Sequence, residues 1–476
     1  MRSSGILLPI FSLGGDYGIG TLGKQAYEFA DFLSSSGQRY WQILPLNPTS
    51  YGNSPYQSPS VFAGNPYFID PELLYENALI SKNDLNLCKS QNNETIDYGY
   101  LYKTRMRILK EAAKGISSAD SDYLDFCENQ CFWLEKYSVF MALKEKNQMQ
   151  HHFKWKYKRA EDIAQLKKEI AIHSKIQYLF YSQWLSLKKY ANAKGVRIIG
   201  DLPIYPAEDS SDYYFLPEMF LQNIVAACPA DSFNANGQLW GNPVYDWDKM
   251  KSNDFLWWKE RLRHSAEIYD SIRIDHFRGF YEYYSTKKGS SATKGHWSKG
   301  PGLDFCSMVR KTFPTLDIIA EDLGFLTEDT REFFRKSTFD TMKVLLFAFD
   351  ERNSEYLPHN HIKNSVVYTG THDTPTVLQW ICSSSTNTLT RAMDYLGASS
   401  IYTLPDYFIR GALSSVADRA IIPLQDWLKI GCAGRINTPG TTGNNWTWRM
   451  NESVLTRNIN EKILSYTKIY CRNREE

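Results

Sequence analysis

Short apolar runs rich in β-branched residues alternate with segments of helical periodicity along most of the chain. Runs of this kind predict β-strands, and apolar residues that recur every three or four positions predict amphipathic helices. Eight strands are predicted, at Ile6–Ile10, Tyr40–Leu46, Val196–Pro203, Ser271–Asp275, Leu316–Glu321, Thr341–Phe349, Val366–His372 and Arg419–Leu424. Helical patterns such as Lys24–Ser34 and Phe255–Tyr269 lie between them. Repeated strand–helix alternation indicates a parallel α/β fold.

The number of strands favours a closed (β/α)8 barrel, a TIM barrel, over an open doubly wound sheet. A bare barrel needs only about 250 residues, so we expect residues 1–476 to form one barrel with large insertions. Residues 71–190, mostly charged and helically periodic, predict a helical insertion between the second and third strands. Residues 205–253, rich in Asn, Gly and aromatic residues, predict a loop insertion after the third strand. The chain after the eighth strand is shorter than the roughly 100 residues of a β-sandwich, so no C-terminal β-sandwich domain is expected.

Composition and charge exclude several classes of protein. Lys and Arg total 54 against 53 Asp and Glu, a net charge of +1, which argues against nucleic acid or an anionic membrane as a partner. No segment approaches the roughly 18 consecutive apolar residues of a membrane span, and the N-terminal apolar run, interrupted by Pro9, does not fit a signal peptide. The eight cysteines are scattered without a CxxC pair, which is typical of reduced thiols. The expected location is the cytoplasm.

Motifs for metals and organic cofactors are weak. Residues 18–23 match GxGxxG, but the next predicted strand lacks the acidic residue that a dinucleotide site requires. Walker A, HExxH and GxSxG motifs are absent, and His359 and His361 have no further ligands in register. We therefore expect no metal and no organic cofactor.

Carboxylates occur at the C-terminal ends of four predicted strands, the third, fourth, fifth and seventh. These residues are Asp201, Asp275, Glu321 and Asp373. A single one could be an ordinary helix cap, but four on one face of a barrel predict a site, because (β/α)8 barrels hold their active sites at this face. Arg273 shares a strand face with Asp275 by the period of two. Polar side chains pointing into a barrel are costly unless they lie at its mouth.

Clustered carboxylates with a nearby arginine favour cleavage of glycosidic bonds, which needs one protonated acid and one ionised carboxylate. Arg273 is expected to keep Asp275 ionised and therefore nucleophilic. A second carboxylate in a crowded anionic site tends to hold its proton, as a general acid requires. The aromatic content of 14%, with 13 Trp and 31 Tyr, offers either stacking surfaces for sugar rings or a large aromatic core.

Several motifs resemble those of glycoside hydrolase family 77, the amylomaltases or 4-α-glucanotransferases of the α-amylase superfamily. The matching segments are GDLPI at 200–204, RIDHFRG at 273–279, AEDLG at 320–324, THD at 371–373, YGNSPYQS at 51–58, GQLWGNP at 237–243, KGPG at 299–302 and NTPGT at 437–441. The resemblance covers nearly the whole chain. It implies transfer of α-1,4-glucan segments from a donor maltooligosaccharide to the 4-hydroxyl of an acceptor glucan or glucose, by a retaining double displacement.

The resemblance also implies roles for individual residues. Asp275 corresponds to the nucleophile, Glu321 to the general acid/base, and Asp373 to a stabiliser that holds sugar hydroxyls at the cleavage point. Tyr56 would stack on the donor sugar, and Trp240 with Asn242 would shape the loop beside the acceptor. The other implied substrate-binding residues are Asp201, Arg273, His276, His372 and Asn437.

Two alternatives remain open at this point. A retaining α-glucan hydrolase would use the same carboxylates, with water in place of the acceptor. A glucan-binding protein without activity is the other, although a binder has no need for an acid, a nucleophile and an arginine together. Transfer would be favoured if aromatic residues of 205–253 covered the site and excluded water, but they could equally pack this segment against the barrel. These residues are Tyr213, Tyr214, Phe215, Phe233, Trp240, Tyr245 and Trp247.

Overall fold

The computed structural model describes residues 2–50, 52–90, 94–230, 236–324 and 326–473. Its strands are spread along most of this length. They are β1 (Ser3–Leu7), β2 (Tyr40–Gln42), β3 (Arg197–Leu202), β4 (Phe220–Cys228), β5 (Gln238–Tyr245), β6 (Ser271–Ile274), β7 (Glu282–Lys287), β8 (His296–Lys299), β9 (Ile318–Ala320), β10 (Asp340–Val344), β11 (Ser365–Tyr368) and β12 (Arg419–Pro423). Eight of them close into a parallel barrel in the order β1-β12-β11-β10-β9-β6-β3-β2. The predicted (β/α)8 barrel is thereby confirmed.

Helices surround this barrel. They are α1 (Lys24–Ser35), α2 (Pro71–Glu76), α3 (Lys82–Cys88), α4 (Tyr98–Gly115), α5 (Ser121–Asn129), α6 (Cys131–Lys146), α7 (Ala160–Ala164), α8 (Lys167–Ala193), α9 (Ser211–Phe215), α10 (Trp247–Ser252), α11 (Leu256–Ile268), α12 (Leu303–Thr312), α13 (Glu328–Ser337), α14 (Val377–Ser383), α15 (Thr386–Leu396), α16 (Leu404–Ser414), α17 (Leu424–Trp427) and α18 (Arg457–Ile469). Short 3-10 helices occur at Ile10–Ser12, Pro66–Phe68, His152–Lys154, Pro217–Met219, Phe277–Phe280, Ala292–Lys294, Leu345–Phe347, Pro358–Asn360, Cys432–Gly434 and Glu452–Val454. None of the helices in the described residues is long and apolar enough to cross a membrane.

Each predicted strand overlaps one barrel strand, but several end earlier than predicted. The run 341–349 is strand only to Val344 and continues as the 3-10 helix Leu345–Phe347. Leu345 and Leu346 stay buried in that helix. Hydrophobicity therefore did not mark the point where strand pairing stops.

The segment 71–190 carries helices α2 to α7 and most of α8, between β2 and β3. Helix α8 packs against α4 and α6, and also against α1 and β3. Its long buried stripe, which includes Phe180, Trp184 and Leu187, joins these helices to the barrel core. After β12 the described chain forms helices α17 and α18 and no further strand.

The prediction that 205–253 is a loop is wrong for much of that segment. It contains β4 and β5, which form an antiparallel sheet with β7 and β8 in the order β5-β4-β7-β8. The pairing of β4 with β5 shifts register twice, and burial along β4 does not alternate. The period-two signal that identifies a half-buried strand is therefore missing.

Of the aromatic residues considered as a cover for the site, Tyr245 and Trp247 are buried, whereas Tyr213, Tyr214, Phe215 and Trp240 are half-buried. Tyr245 and Trp247 contact Trp258, with ring centroids 5.7 and 6.5 Å apart, while Tyr214 packs against Trp155 at 5.2 Å. Tyr213 packs against Phe220, and Phe215 packs against Tyr214. Trp240 contacts a predicted site residue, as described below, and Phe233 lies outside the described residues.

Candidate active site

The register of three neighbouring strands brings the predicted carboxylates to one end of the barrel. Asp201 on β3 pairs with Arg273 on β6, and Ile274 on β6 pairs with Ala320 on β9. Asp275 and Glu321 each follow directly after that last pair. Because adjacent strands lie about 4.8 Å apart, these side chains share the C-terminal mouth. Asp373 follows β11 at the same end.

A glycine beside Asp201 helps to place it. Tyr269 packs its ring directly on Gly200, where an added Cβ would lie 2.3 Å from Tyr269 Cγ. Any side chain at this position would displace either the tyrosine or the strand that carries Asp201. The residue before the carboxylate must therefore be glycine for β3 to pass this close to Tyr269.

Arg273 joins two of the carboxylates. Its Nη1 donates to both oxygens of Asp201, at 2.7 and 2.8 Å, and its Nη2 lies 2.9 Å from Asp275 Oδ1. The arginine is only 4% exposed. Burial opposes its charge, but Asp201 and Asp275 hold the pKa of Arg273 well above its ordinary value. Arg273 is therefore a fixed cation behind the site.

Asp275 is less acidic than sequence reasoning suggested. Burial raises the pKa of its carboxyl to about 6, against the lowering effect of Arg273. Asp201 and Asp373 raise it further because they carry like charges. Arg273 acts in the expected direction, but its effect does not outweigh burial. Asp275 is nevertheless mostly ionised at neutral pH.

Glu321 is held by the backbone on both oxygens. The His276 N–H donates to Oε2 at 2.8 Å and the Leu323 N–H donates to Oε1 at 2.7 Å. Burial raises the pKa of Glu321 to about 7; Arg273 lowers it and Asp275 raises it. Asp275 has a direct ion pair with Arg273, so Glu321 keeps its proton to higher pH than Asp275 does.

His276 has a left-handed backbone, with φ of 49°, and this residue supplies the N–H that binds Glu321. Burial lowers the pKa of its imidazole to about 4, so the ring is neutral at neutral pH. Trp240 meets the His276 ring edge-on, with centroids 4.8 Å apart. Asn242 is anchored nearby, since its Nδ2 donates to the Pro206 carbonyl at 2.9 Å and its Oδ1 accepts from Gln57 Nε2 at 2.8 Å.

Tyr56 connects two sides of the site. Its hydroxyl donates to Asp201 Oδ2 at 2.6 Å and lies 2.9 Å from His372 Nε2. The Tyr56 and His372 rings stack with centroids 5.3 Å apart and planes inclined by 16°. One face of the ring that was expected to stack on a sugar is therefore taken by His372.

Asp373 is ionised by its neighbours. Asn437 Nδ2 donates to its Oδ1 at 2.6 Å, and His372 Nε2 lies 3.3 Å from its Oδ2. Burial opposes ionisation, but His372 and Asn437 bring the pKa of Asp373 down to about 2. The carboxylate remains 44% exposed, so it faces the open mouth with a permanent negative charge.

Three residues of this cluster were missed by sequence reasoning. Trp446 lies 5.8 Å from the Tyr56 ring and 6.0 Å from the His372 ring, and no sequence signal marks it. Gln57 lies inside a recognised motif but was given no role. Arg435 donates to the backbone carbonyl of Asp373 at 2.8 Å, and its position two residues before Asn437 was the only available clue.

Potential metal ligands also occur outside the mouth. Among the described residues, His151, His152 and Asp209 have ligand atoms within 4.8 Å of one another. The Asp209 carboxylate already forms an ion pair with Lys144 and accepts the His152 backbone N–H at 3.0 Å. We interpret this group as an ion-pair network that ties α6 to the loop after β3. Within the described part of the chain, this is the one group of three or more His, Cys, Asp or Glu side chains close enough together to hold a metal ion.

The mouth of the barrel thus combines three carboxyl groups with different surroundings. Asp373 is ionised, Asp275 is paired with the fixed arginine Arg273, and Glu321 has a pKa of about 7. Paired carboxyl groups with separated pKa values suit acid/base chemistry on a glycosidic bond. Every residue that the sequence analysis gave a catalytic or substrate-binding role lies in this cluster or contacts one of its members.

The chain matches the family model described as 4-alpha-glucanotransferase over residues 8–456. A 4-alpha-glucanotransferase of Clostridium butyricum is 44% identical over 485 aligned residues, which cover 98% of this chain and 100% of that protein. One of Streptococcus pneumoniae is 42% identical, covering 100% and 98%. Among solved structures, an amylomaltase of Streptococcus agalactiae in complex with acarbose superimposes with a TM-score of 0.96 at 37% identity, covering both chains completely.

Proposed function

The chain belongs to the 4-alpha-glucanotransferase family, and from this membership we propose that its mouth carboxylates transfer glucan segments by a retaining double displacement. The enzyme has 4-alpha-glucanotransferase, or amylomaltase, activity on α-1,4-glucans. A glucan-binding protein without activity is therefore excluded.

In the first step, Asp275 attacks the anomeric carbon of the donor sugar while Glu321 protonates the departing glycosidic oxygen. The bond to the leaving glucan breaks as a covalent bond to Asp275 forms. The observation that carries this assignment is the ion pair between Arg273 Nη2 and Asp275 Oδ1 at 2.9 Å, which favours the ionised form of Asp275, whereas Glu321 is held by two backbone N–H groups. Burial raises the pKa of both carboxyls, to about 6 for Asp275 and about 7 for Glu321. Near neutral pH the first is mostly ionised and the second retains much of its proton.

In the second step, Glu321 has become a base. It removes the proton from the 4-hydroxyl of an acceptor glucan or glucose, whose oxygen displaces Asp275 from the anomeric carbon. Two inversions restore the α-linkage. Arg273 stabilises the Asp275 carboxylate as it leaves, because its Nη2 is already within 2.9 Å of Oδ1.

The third carboxylate binds the same sugar. Asp373 is ionised, partly exposed and fixed by Asn437, so it can accept hydrogen bonds from sugar hydroxyls. Asp201 accepts hydrogen bonds from Arg273 on both oxygens and from the Tyr56 hydroxyl on Oδ2. It therefore shapes the floor beneath that sugar. Tyr56, His372 and Trp446 form an aromatic wall on this side. The apolar faces of sugar rings can pack on a surface of this kind.

Trp240 and Asn242 are proposed to lie beside the acceptor sugar. They lie on β5, on the strand-and-loop segment that adjoins the mouth through His276 and Gln57. A sugar bound beside the intermediate reacts with a proximity that loose water lacks. This arrangement supports transfer over hydrolysis, the alternative left open by the carboxylates alone.

Product analysis with pure maltotriose tests the proposal. Transfer should release glucose and build a ladder of longer maltooligosaccharides while total reducing ends stay nearly constant, because each transfer breaks one bond and makes one. A steady rise in reducing ends, with glucose and maltose as the only products, would identify a hydrolase. The newly formed glycosidic linkages, read by NMR, should be α, as retention requires.

We further propose that maltooligosaccharides are donors and that glucose is the smallest acceptor. The acarbose bound by the Streptococcus agalactiae amylomaltase supports a binding site for several linked sugars. A cytoplasmic location belongs to the same proposal and is supported by the scattered spacing of the eight cysteines, which include no CxxC pair.

A further inference from the structure

Arg435 lies outside the groups assigned to the reaction, yet it holds the third carboxylate from behind. Its Nη2 donates to the Asp373 carbonyl at 2.8 Å and its Nε donates to the Asn437 carbonyl at 2.6 Å. One planar guanidinium thus clamps two loops that are far apart in the chain, the loop after β11 and the loop after α17. We propose that Arg435 is a positioning residue for Asp373.

The clamp acts on the carboxylate through a short chain of hydrogen bonds. Asn437 donates its backbone N–H to the His372 carbonyl at 3.1 Å and its side-chain amide to Asp373 Oδ1 at 2.6 Å. Arg435 fixes the carbonyls at both ends of this arrangement. If the clamp is cut, Asn437 and Asp373 lose their common anchor although neither side chain has changed.

Asp373 depends on such anchoring because it is 44% exposed. Its Oδ2 lies 3.3 Å from His372 Nε2, which is a longer contact than the 2.6 Å hydrogen bond that the Asn437 amide donates to Oδ1. A carboxylate that must meet sugar hydroxyls within a few tenths of an ångström loses effectiveness when its backbone can shift. Arg435 therefore contributes to the rate without touching the substrate.

Both the positive charge and the forked shape of the Arg435 guanidinium contribute to this clamp. A guanidinium presents donors in a fixed fork that can serve two carbonyls at once, whereas an ammonium is a point donor on a flexible stem. On its other side Arg435 lines a cavity of about 680 Å³ together with Thr438, Gln379 and Trp448. Truncation to alanine opens into that space and leaves no new sealed void, so the variant should fold.

The test rests on the proposed role of Asp373 and is designed to separate the two ideas. Arg435→Ala should lower kcat for maltotriose disproportionation by about tenfold or more, as loss of charge-assisted hydrogen bonds to one site implies. Arg435→Lys, which keeps the charge and most of the stem, should lower it less. Arg2→Ala is the matched control, because Arg2 is also half-buried and donates to the Leu413, Ser415 and Tyr470 carbonyls, next to the N-terminal end of β1. It should lower the melting temperature without changing kcat.

Acarbose titration by calorimetry supplies a reading that does not need activity. Arg435→Ala should weaken acarbose binding by about tenfold in the wild-type background but by less than about twofold in Asp373→Ala, because the two changes remove the same interaction. Equal weakening in both backgrounds, or an unchanged kcat in Arg435→Ala, would overturn the positioning role. If Asp373→Ala itself leaves kcat and acarbose binding intact, the proposed role of Asp373 fails instead.

Discussion

A donor whose leaving group needs no proton should remove the alkaline limb from the pH profile of this enzyme. With a natural glucan, reaction requires Asp275 ionised and Glu321 protonated. Their pKa values are about 6 and about 7. Because the two carboxyls interact, the two limbs of the profile report apparent pKa values of the pair rather than of either residue. We therefore expect kcat/KM for maltotriose to be highest between these two pKa values and to fall by about tenfold per pH unit well outside them, because one proton is gained or lost on each side.

An α-maltotriosyl fluoride changes only one of these requirements. Fluoride departs without protonation, so Asp275 must still be ionised but Glu321 need not carry a proton in the first step. The acidic limb should persist and kcat/KM should reach a plateau above about pH 7. Initial fluoride release, followed with an ion-selective electrode at donor concentrations well below KM, measures this quantity directly.

The variant Glu321→Gln sharpens the same test. It should lose activity on maltotriose by about 10²- to 10⁴-fold, the usual contribution of general acid/base catalysis, while keeping kcat/KM for the fluoride within a few-fold. Because no base then activates the acceptor, a glycosyl adduct should accumulate on the peptide that contains Asp275. Intact-protein and peptide mass spectrometry detect it.

Asp322 provides the matched control, since it is the adjacent buried carboxyl and burial raises its pKa to about 6. Its Oδ1 accepts the Met342 N–H at 2.7 Å, a bond that an asparagine can also form. Asp322→Asn should therefore retain both limbs with maltotriose. An alkaline limb that persists with the fluoride in the wild type, or equal losses on both donors in Glu321→Gln, would refute the assignment of Glu321.

Two further predictions concern the nucleophile and the floor of the site. Asp275→Ala should lower turnover of maltotriose by at least about 10⁴-fold without lowering the melting temperature, because Arg273 keeps both bonds to Asp201; residual activity above a few per cent would contradict its role. Tyr56→Phe keeps the ring stacked on His372 but removes a donor 2.6 Å from Asp201 Oδ2, so kcat/KM should fall about tenfold or more, and a change below twofold would mean that this hydrogen bond does not matter for the reaction.

The apolar runs by themselves determined the barrel, because each buried parallel strand must be hydrophobic on both faces and leaves a readable signal. They also determined where Asp201, Asp275 and Glu321 would lie, since a polar residue at the end of such a run can only be accommodated at the mouth. The strands β4 and β5 were not predicted, because register shifts and uneven burial remove the alternation of hydrophobic and polar residues that identifies a strand in a sequence.

Only the tertiary structure decided how the site is tuned. Burial sets the pKa of Asp275 near 6 in spite of Arg273, a balance between desolvation and Coulomb attraction that depends on three-dimensional surroundings. The same is true of the Tyr56 bond to Asp201 and the Arg435 bond to Asp373, which join residues 145 and 62 positions apart. Contacts of this kind leave no periodicity in the chain, because hydrogen bonds across a barrel mouth depend on how the loops converge in space.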